Sequence, residues 1–360
     1  MEELREWIRA AEAAKVTCLN GPEFDFLMRY QKQRLEELNQ PKMSQIKLSP
    51  QIEKAVEAFH DASMKRIAQA NAADEPKEPL FHYTSEKALF SIIGSEKFWF
   101  TSIYHMDDKE ELTFGFNVSR SLLQIAVATG DQLTRMFCEE LVDEEDLKKI
   151  RTLFEFYSIS FGLKDDPQQW ASYGDSGRGV ALGLAPAFFH PAPFADPKNP
   201  KPEEHIYFGR VLYGDRAART CHSIVIDAAI EAIKQAHAAG SIRNGQDAMM
   251  FFRHIAAEMT IEILWNCVTT KDSSWSHQNE TRLLALNNLK SPHLPIYNAD
   301  KRPRLEIPQP LLKKNVVEVM VGPNVDGGAK ERVRQFLTRH GLPHIPVTRA
   351  GTACPRKLLP

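Results

Sequence analysis

From Leu80 onward, short β-favouring runs are interrupted by two long helical stretches. That irregular alternation is the strongest constraint on what this chain can fold into. Leu80–Ser85, Phe98–Ser102, Phe156–Phe161, Gly179–Leu184, Tyr207–Tyr213, Thr281–Leu286, Asn315–Val321 and Ile345–Thr348 read as strands. Helical periodicity fills 117–150, with Leu122, Leu123, Ile125, Leu133, Met136, Phe137, Leu141 and Leu147 as its apolar stripe. It also fills 216–265, with a break at 240–245. A helix from Glu86 to Gly94 is capped by Ser85, and another covers Gly328–His340. A doubly wound parallel sheet needs a more regular alternation, so the pattern predicts an α+β fold.

The first 75 residues differ in character. Leu4, Trp7, Ile8, Phe24, Phe26 and Leu27, then Ile52, Ala55, Val56, Phe59 and Met64, recur at helical spacing. A polar stretch with two prolines, 71–79, reads as a linker. The expected organisation is a helical accessory region over 1–78, a main domain over 79–350 and a tail over 351–360. Six prolines over 186–205 mark a long loop.

Of the 360 residues 43% are apolar and 26% charged, which suits a globular protein with a sizeable core. No run approaches the ~20 apolar residues a membrane helix needs, so no membrane partner is expected. The start, Met1-Glu2-Glu3-Leu4-Arg5, lacks the basic and then apolar pattern of a secretory signal. The expected location is the cytoplasm, or a target cell reached by a signal-free route. A net charge of −2 argues against coating nucleic acid by bulk electrostatics. Five scattered cysteines without a CxxC pair fit free thiols rather than a zinc or disulfide framework.

Four segments hold residues with chemical potential. His82, in Phe81-His82-Tyr83-Thr84-Ser85, can present an imidazole to a cleft or sit satisfied in a core. Trp170 and Tyr173 lie three residues apart before the Gly-rich run Gly174–Gly179, and such a pair either walls a planar ring or packs as core. Glu280 opens the strand 281–286, with Gln278 two residues before it and Arg282 two after. It can act at a cleft mouth or simply pair with the arginine. The run His105–Glu111 carries Asp107, Asp108 and Glu110, donors for a hard cation or a solvated loop.

Taken in order, these segments resemble a bacterial family, the domain-of-unknown-function family 2971. The resemblance rests on His82-Tyr83-Thr84-Ser85, Phe98–Ser102, Asp107–Glu110, Trp170–Tyr173, Gly177–Gly183, Tyr207–Tyr213, Trp275–Arg282 and Val319–Asn324. It covers about residues 80–350. The pattern is also similar to the ADP-ribosyltransferase superfamily of the His-Tyr-Glu type. There a strand histidine, a later tyrosine and a late strand-start glutamate line an NAD cleft in a split sheet. The matching positions here are His82, Tyr173 and Glu280.

That resemblance implies a split mixed or antiparallel sheet with helices inserted at 117–150 and 216–265. It implies NAD+ as substrate, cleavage of the nicotinamide–ribose bond and transfer of ADP-ribose to a protein or nucleic-acid acceptor, as toxins and defence effectors do. Glu280 would stabilise the ribosyl cation, Tyr173 would stack on nicotinamide, and His82, with Tyr83 and Thr84, would hold the adenosine side. Arg178 and Arg282 are candidates for the pyrophosphate, with an ion pair to Glu280 as the other role for Arg282. Gln278 is the candidate for acceptor selection. No metal is expected, and a regulatory or inhibitor partner is left open. Two other readings stand beside this one: a non-catalytic binding module, and a metal-dependent nuclease or hydrolase using Asp107, Asp108 and Glu110.

Overall fold

The computed structural model describes residues 50–73, 76–105, 111–141, 154–189, 206–288, 296–299 and 302–351. The helices expected before residue 50, the loop holding Asp107, Asp108 and Glu110, most of the proline loop and nearly all of the 351–360 tail lie outside those residues. By its internal contacts the chain divides into two units. One takes Met1–Ile67, Asn117–Glu144 and Arg219–Trp265; the other takes Ala68–Phe116, Glu145–Ala218 and Asn266–Pro360.

The first unit is helical. Its segments belong to α1 (Pro50–Ala73), α3 (Glu111–Thr129), α4 (Gln132–Leu141), α6 (Asp215–Ala238) and α7 (Gly245–Val268). Phe59, Leu123, Phe137, Ile233, Phe252 and Ile255 are among its buried side chains. Arg66 on α1 grips Glu262 on α7 through two hydrogen bonds of 3.0 and 2.6 Å, and the Ser63 hydroxyl donates to the same carboxylate at 2.5 Å. The single helical stretch expected over 117–150 is two helices over the described part. Gly130 closes α3, and the Asp131 carboxylate caps α4 by accepting the Thr134 N–H at 2.8 Å. Ile125, expected in the apolar stripe, is 51% exposed.

In this unit His222 is wholly buried, and its Nδ1 shares a 2.7 Å hydrogen bond with the Ser119 hydroxyl while Nε2 has no partner. Desolvation pushes its pKa down to about 4.

The second unit carries the sheets, and it is α+β with mixed and antiparallel strands. Its strands are β1 (Leu80–Thr84), β2 (Lys97–Ser102), β3 (Phe154–Phe161), β4 (Val180–Leu184), β5 (Ile206–Arg210), β6 (Leu212–Tyr213), β7 (Thr270–Lys271), β8 (Thr281–Asn288), β9 (Ile296–Ala299), β10 (Arg302–Pro308), β11 (Val316–Val321) and β12 (Val347–Arg349). One sheet has the order β1-β4-β11-β12, antiparallel except for the β11–β12 pair. A six-stranded antiparallel sheet has the order β5-β8-β3-β2-β10-β9, and β6 pairs with β7 in parallel. Strand alternation decides what enters the core between the sheets. Leu80, Val180, Leu182 and Val319 come from the first sheet, and Phe98, Phe100, Tyr157, Phe161, Leu283 and Leu305 from the second. The helix α2 (Glu86–Ser95), capped by Ser85, adds Leu89 and Ile93.

β3 changes partner along its length. β2 pairs with it only at Thr101–Ser158 and Ser102–Tyr157. Beyond that point Phe81 of β1 bridges to Gly162 through two reciprocal 2.9 Å hydrogen bonds. The two sheets meet there.

At the end of β1 three backbones converge. A Cβ on Gly179 would lie 2.2 Å from the Thr84 carbonyl oxygen, and one on Gly322 would lie 2.2 Å from that of Gly177. Gly179→Ala therefore forces strand backbones apart. It should lower stability by about 1–3 kcal/mol in urea unfolding, whereas Gly327→Ala, with nothing within 4 Å, should stay within about 0.5 kcal/mol.

His222 supplies a second expectation, on pH. Its folded pKa lies below its ordinary 6.5, so the unfolded chain takes up the proton first as pH falls. The stabilisation is complete above pH 6.5 and is lost between 6.5 and about 4. That loss is about 3 kcal/mol at 1.36 kcal/mol per pH unit. Urea midpoints measured across that window should fall less steeply for His222→Gln than for wild type.

Candidate functional site

Ser160 sits at the partner switch of β3 and touches two of the three main candidates. Its carbonyl accepts the His82 Nδ1–H at 3.0 Å, which leaves Nε2 as the basic nitrogen. Its side chain bears on the carboxylate of Glu280. His82 and Glu280 are 198 positions apart in the chain, yet both contact this one strand residue.

They reach it from opposite faces of the strand. Tyr157, Ile159 and Phe161 point into the core, so the Ser160 side chain points away from it. His82 lies on the core side, its ring centroid 5.6 Å from those of both Phe98 and Phe161. Burial lowers its pKa against the smaller opposing effect of the Ser160 carbonyl, so the imidazole is neutral at pH 7. Thr84 shares that face of β1, and both residues keep partial exposure. Tyr83 faces the other way. Its hydroxyl donates to the Leu163 carbonyl at 2.5 Å, accepts the Asp166 N–H at 2.8 Å, and its ring packs edge-on against Trp170. Tyr83 is thus committed to the fold.

Glu280 stands immediately before β8. A one-turn segment, Ser273–Gln278, leads into it, opened by Asp272 accepting the Ser274 N–H and closed by Asn279 in the left-handed region at φ 39°. The Glu280 N–H donates to the Tyr213 hydroxyl at 3.0 Å. Its Oε1 takes Lys271 Nζ at 2.5 Å and Arg282 Nη2 at 2.7 Å, and Oε2 has no hydrogen-bond partner. All three side chains are at most 3% exposed. Burial alone would raise the Glu280 pKa. Arg282 and Lys271, with hydrogen bonds from Lys271 and Ser160, outweigh it and hold the carboxyl at about 2. Arg282 also donates to the Val268 carbonyl at 2.8 Å, so of its two expected roles the structure shows the ion pair.

Tyr173 caps the C-terminus of the short helix α5 (Pro167–Ser172). Asp166 accepts the Gln168 and Gln169 N–H groups, and Pro167 opens the helix without needing a donor. The helix separates the two aromatics: Trp170 is fully buried and donates its indole N–H to Asp165, whereas Tyr173 is 39% exposed. They do not form one wall. Gln169 Nε2 donates to the Gln278 carbonyl at 2.6 Å and ties α5 to the turn before Glu280. The Gln278 amide oxygen accepts from Lys271 Nζ at 2.9 Å. Arg178 is exposed and pairs with Asp175 at 2.9 Å.

His82, Ser160, Glu280, Lys271, Gln278 and Gln169 therefore form a continuous polar chain that ends on the helix bearing Tyr173. The sequence reading did not single out Lys271, Ser160, Gln169 or Tyr213. Lys271 sits in a two-residue strand with no periodic signal around it. Among the described residues no three His, Cys, Asp or Glu groups cluster for a metal, and no helix is long and apolar enough to cross a membrane.

A family model described as "Protein of unknown function (DUF2971)" matches residues 169–283. The family resemblance read from the motifs holds over that stretch, which contains Tyr173, Arg178, Lys271, Gln278, Glu280 and Arg282. His82 lies before it. No curated protein and no solved structure matches the chain.

Lys271 and Arg282 both pair with Glu280 in the interior. Glu280→Ala would remove the buried carboxylate that Lys271 and Arg282 share. It should cost about 3–5 kcal/mol in urea unfolding, and adding Lys271→Met should recover part of that loss.

Proposed function

We propose that this chain is an NAD+-dependent ADP-ribosyltransferase acting on a macromolecular acceptor, protein or nucleic acid. The observation that supports this reading is that His82 and Glu280 both contact Ser160, from opposite faces of β3 where the two sheets meet, with the carboxylate ionised and one of its oxygens unspent. A toxin or defence effector is the setting the reading suggests.

The reaction asks for little more than this. The C1′–N bond of NAD+ breaks heterolytically, nicotinamide keeps the bonding pair, and the ribose becomes oxocarbenium-like. The leaving group is already cationic and needs no general acid. An acceptor nucleophile bonds to C1′ and loses its proton, so the products are ADP-ribosyl-acceptor, nicotinamide and H+. A fixed anion near C1′ stabilises the developing positive charge, and Glu280 is ionised far below neutral pH. In this reading His82 Nε2 and Thr84 face the adenosine-side ribose and Tyr173 stacks on nicotinamide. Arg178, exposed and held only by the neighbouring Asp175, meets the pyrophosphate, because Arg282 is already committed to Glu280 and Val268. Oε2 is enclosed, so contact with the sugar requires a local opening around it.

One observation favours a second reading. The complete enclosure of Glu280 between two cations also suits a carboxylate that holds the fold together in a binding module. Nicotinamide release from NAD+ by the purified protein separates the two. The transferase reading expects release, a fall of about 10²–10³-fold in kcat for Glu280→Gln, and a raised KM with unchanged melting temperature for Tyr173→Ala. Release that is absent in wild type, or equal in wild type and Glu280→Gln, would leave the binding module.

A further inference from the structure

We infer that Lys271 is a positioning residue for Glu280: by binding Oε1 together with Arg282, it reserves Oε2 as the oxygen that meets substrate. This deepens the proposed transferase reading and rests on it, although the positioning itself can be measured without turnover.

The geometry is specific. Lys271 Nζ lies 2.5 Å from Glu280 Oε1 and 2.9 Å from Gln278 Oε1, and 5.7 Å from the centre of the Trp275 ring. Arg282 reaches the same oxygen, Oε1, at 2.7 Å. Both cations therefore approach from one side, and the carboxylate cannot flip without breaking two charge-assisted hydrogen bonds. Oε2, fully buried, has no hydrogen-bond partner. Such an atom is costly to leave unmatched in a folded protein, and a ribose hydroxyl is the donor that the proposed reaction would bring to it. Arg282 alone would pair with the carboxylate, but its guanidinium is also fixed by the Val268 carbonyl. Lys271 is the group that couples the carboxylate to Gln278, and so to the 273–278 segment that leads into Glu280.

The charge balance makes Lys271 testable. Lys271→Met leaves the buried Arg282–Glu280 ion pair in place, so it is expected to fold. The groups facing the carboxylate are then Arg282 on β8, Ser160 on β3, and the Tyr213 hydroxyl of β6 at the Glu280 N–H. The experiment is a ¹³C titration of glutamate-labelled protein, with the Glu280 signal assigned by Glu280→Gln, run alongside nicotinamide release between pH 4 and 9. For Lys271→Met the titration midpoint of Glu280 should rise by about 1–3 pH units. kcat should fall by at least tenfold with KM for NAD+ within about twofold, and an acid limb should enter the pH profile. Lys271→Arg should restore both readouts.

A midpoint that does not move, or a loss of kcat that Lys271→Arg does not restore, would overturn the positioning role. A midpoint that moves as expected while wild type releases no nicotinamide would sustain the positioning of Glu280 and remove the NAD+ reading instead. Should Lys271→Met not fold, Lys271→Gln, which retains a donor to Oε1 without its charge, carries the same two readouts.

Discussion

The second unit depends on β3 serving two partners. Its early residues complete a six-stranded antiparallel sheet, and its end hands over to β1, which belongs to the other sheet. Two sheets that share a core must diverge somewhere, and the strand at which they diverge leaves backbone groups to be satisfied by something other than a ladder. The Ser160 carbonyl shows the consequence: it is satisfied by a side chain, the imidazole of His82. The same break that separates the sheets thus fixes a tautomer. The closeness of Gly179 and Gly322 to neighbouring carbonyls shows how tightly the first sheet is drawn together beside it.

The second determinant is electrostatic. A buried carboxylate flanked by two buried cations is an expensive arrangement, since each ion loses its hydration and the attraction returns that cost only when the geometry is good. Here the geometry places both cations on one oxygen. The depressed pKa shows that attraction wins over desolvation, so the charge is kept rather than neutralised. His82 illustrates the opposite outcome, in which desolvation wins and the group stays neutral. The two candidates are therefore held in fixed and different protonation states at pH 7.

Much of the fold was legible because alternation and capping are local signals. β1, β2, β3, β4, β8 and β11, the Ser85 cap and the break between α6 and α7 all followed from residues within a few positions of one another. β9 and β10 did not. Pro303 and Pro308 demote the latter as a strand, yet Pro303 pairs only towards the edge strand β9 and Pro308 is the last residue of its strand. Ile125 fits an apolar stripe by spacing but falls on an exposed face, and the second half of the expected stripe belongs to another helix. Trp170 and Tyr173 share a helical face by spacing as well. The C-cap geometry at Tyr173 places its ring in a different environment from that of Trp170. At the site, the Glu280–Arg282 contact was readable as an i, i+2 strand pair, whereas Lys271 arrives from a separate two-residue strand nine positions earlier. Nothing local marks a lysine whose partner is set by tertiary structure.

Gln278 links the 273–278 segment to the buried carboxylate cluster. Its side-chain oxygen is held by Lys271 and its carbonyl by Gln169, so it is fixed at both ends between the carboxylate cluster and the helix carrying Tyr173. In that state its amide is turned inward and not towards an acceptor. For the Gln278 amide to face outward, both hydrogen bonds must be exchanged for water. These two buried hydrogen bonds, one of them from a charged lysine, stabilise by about 2–4 kcal/mol together, which is what freeing Gln278 costs.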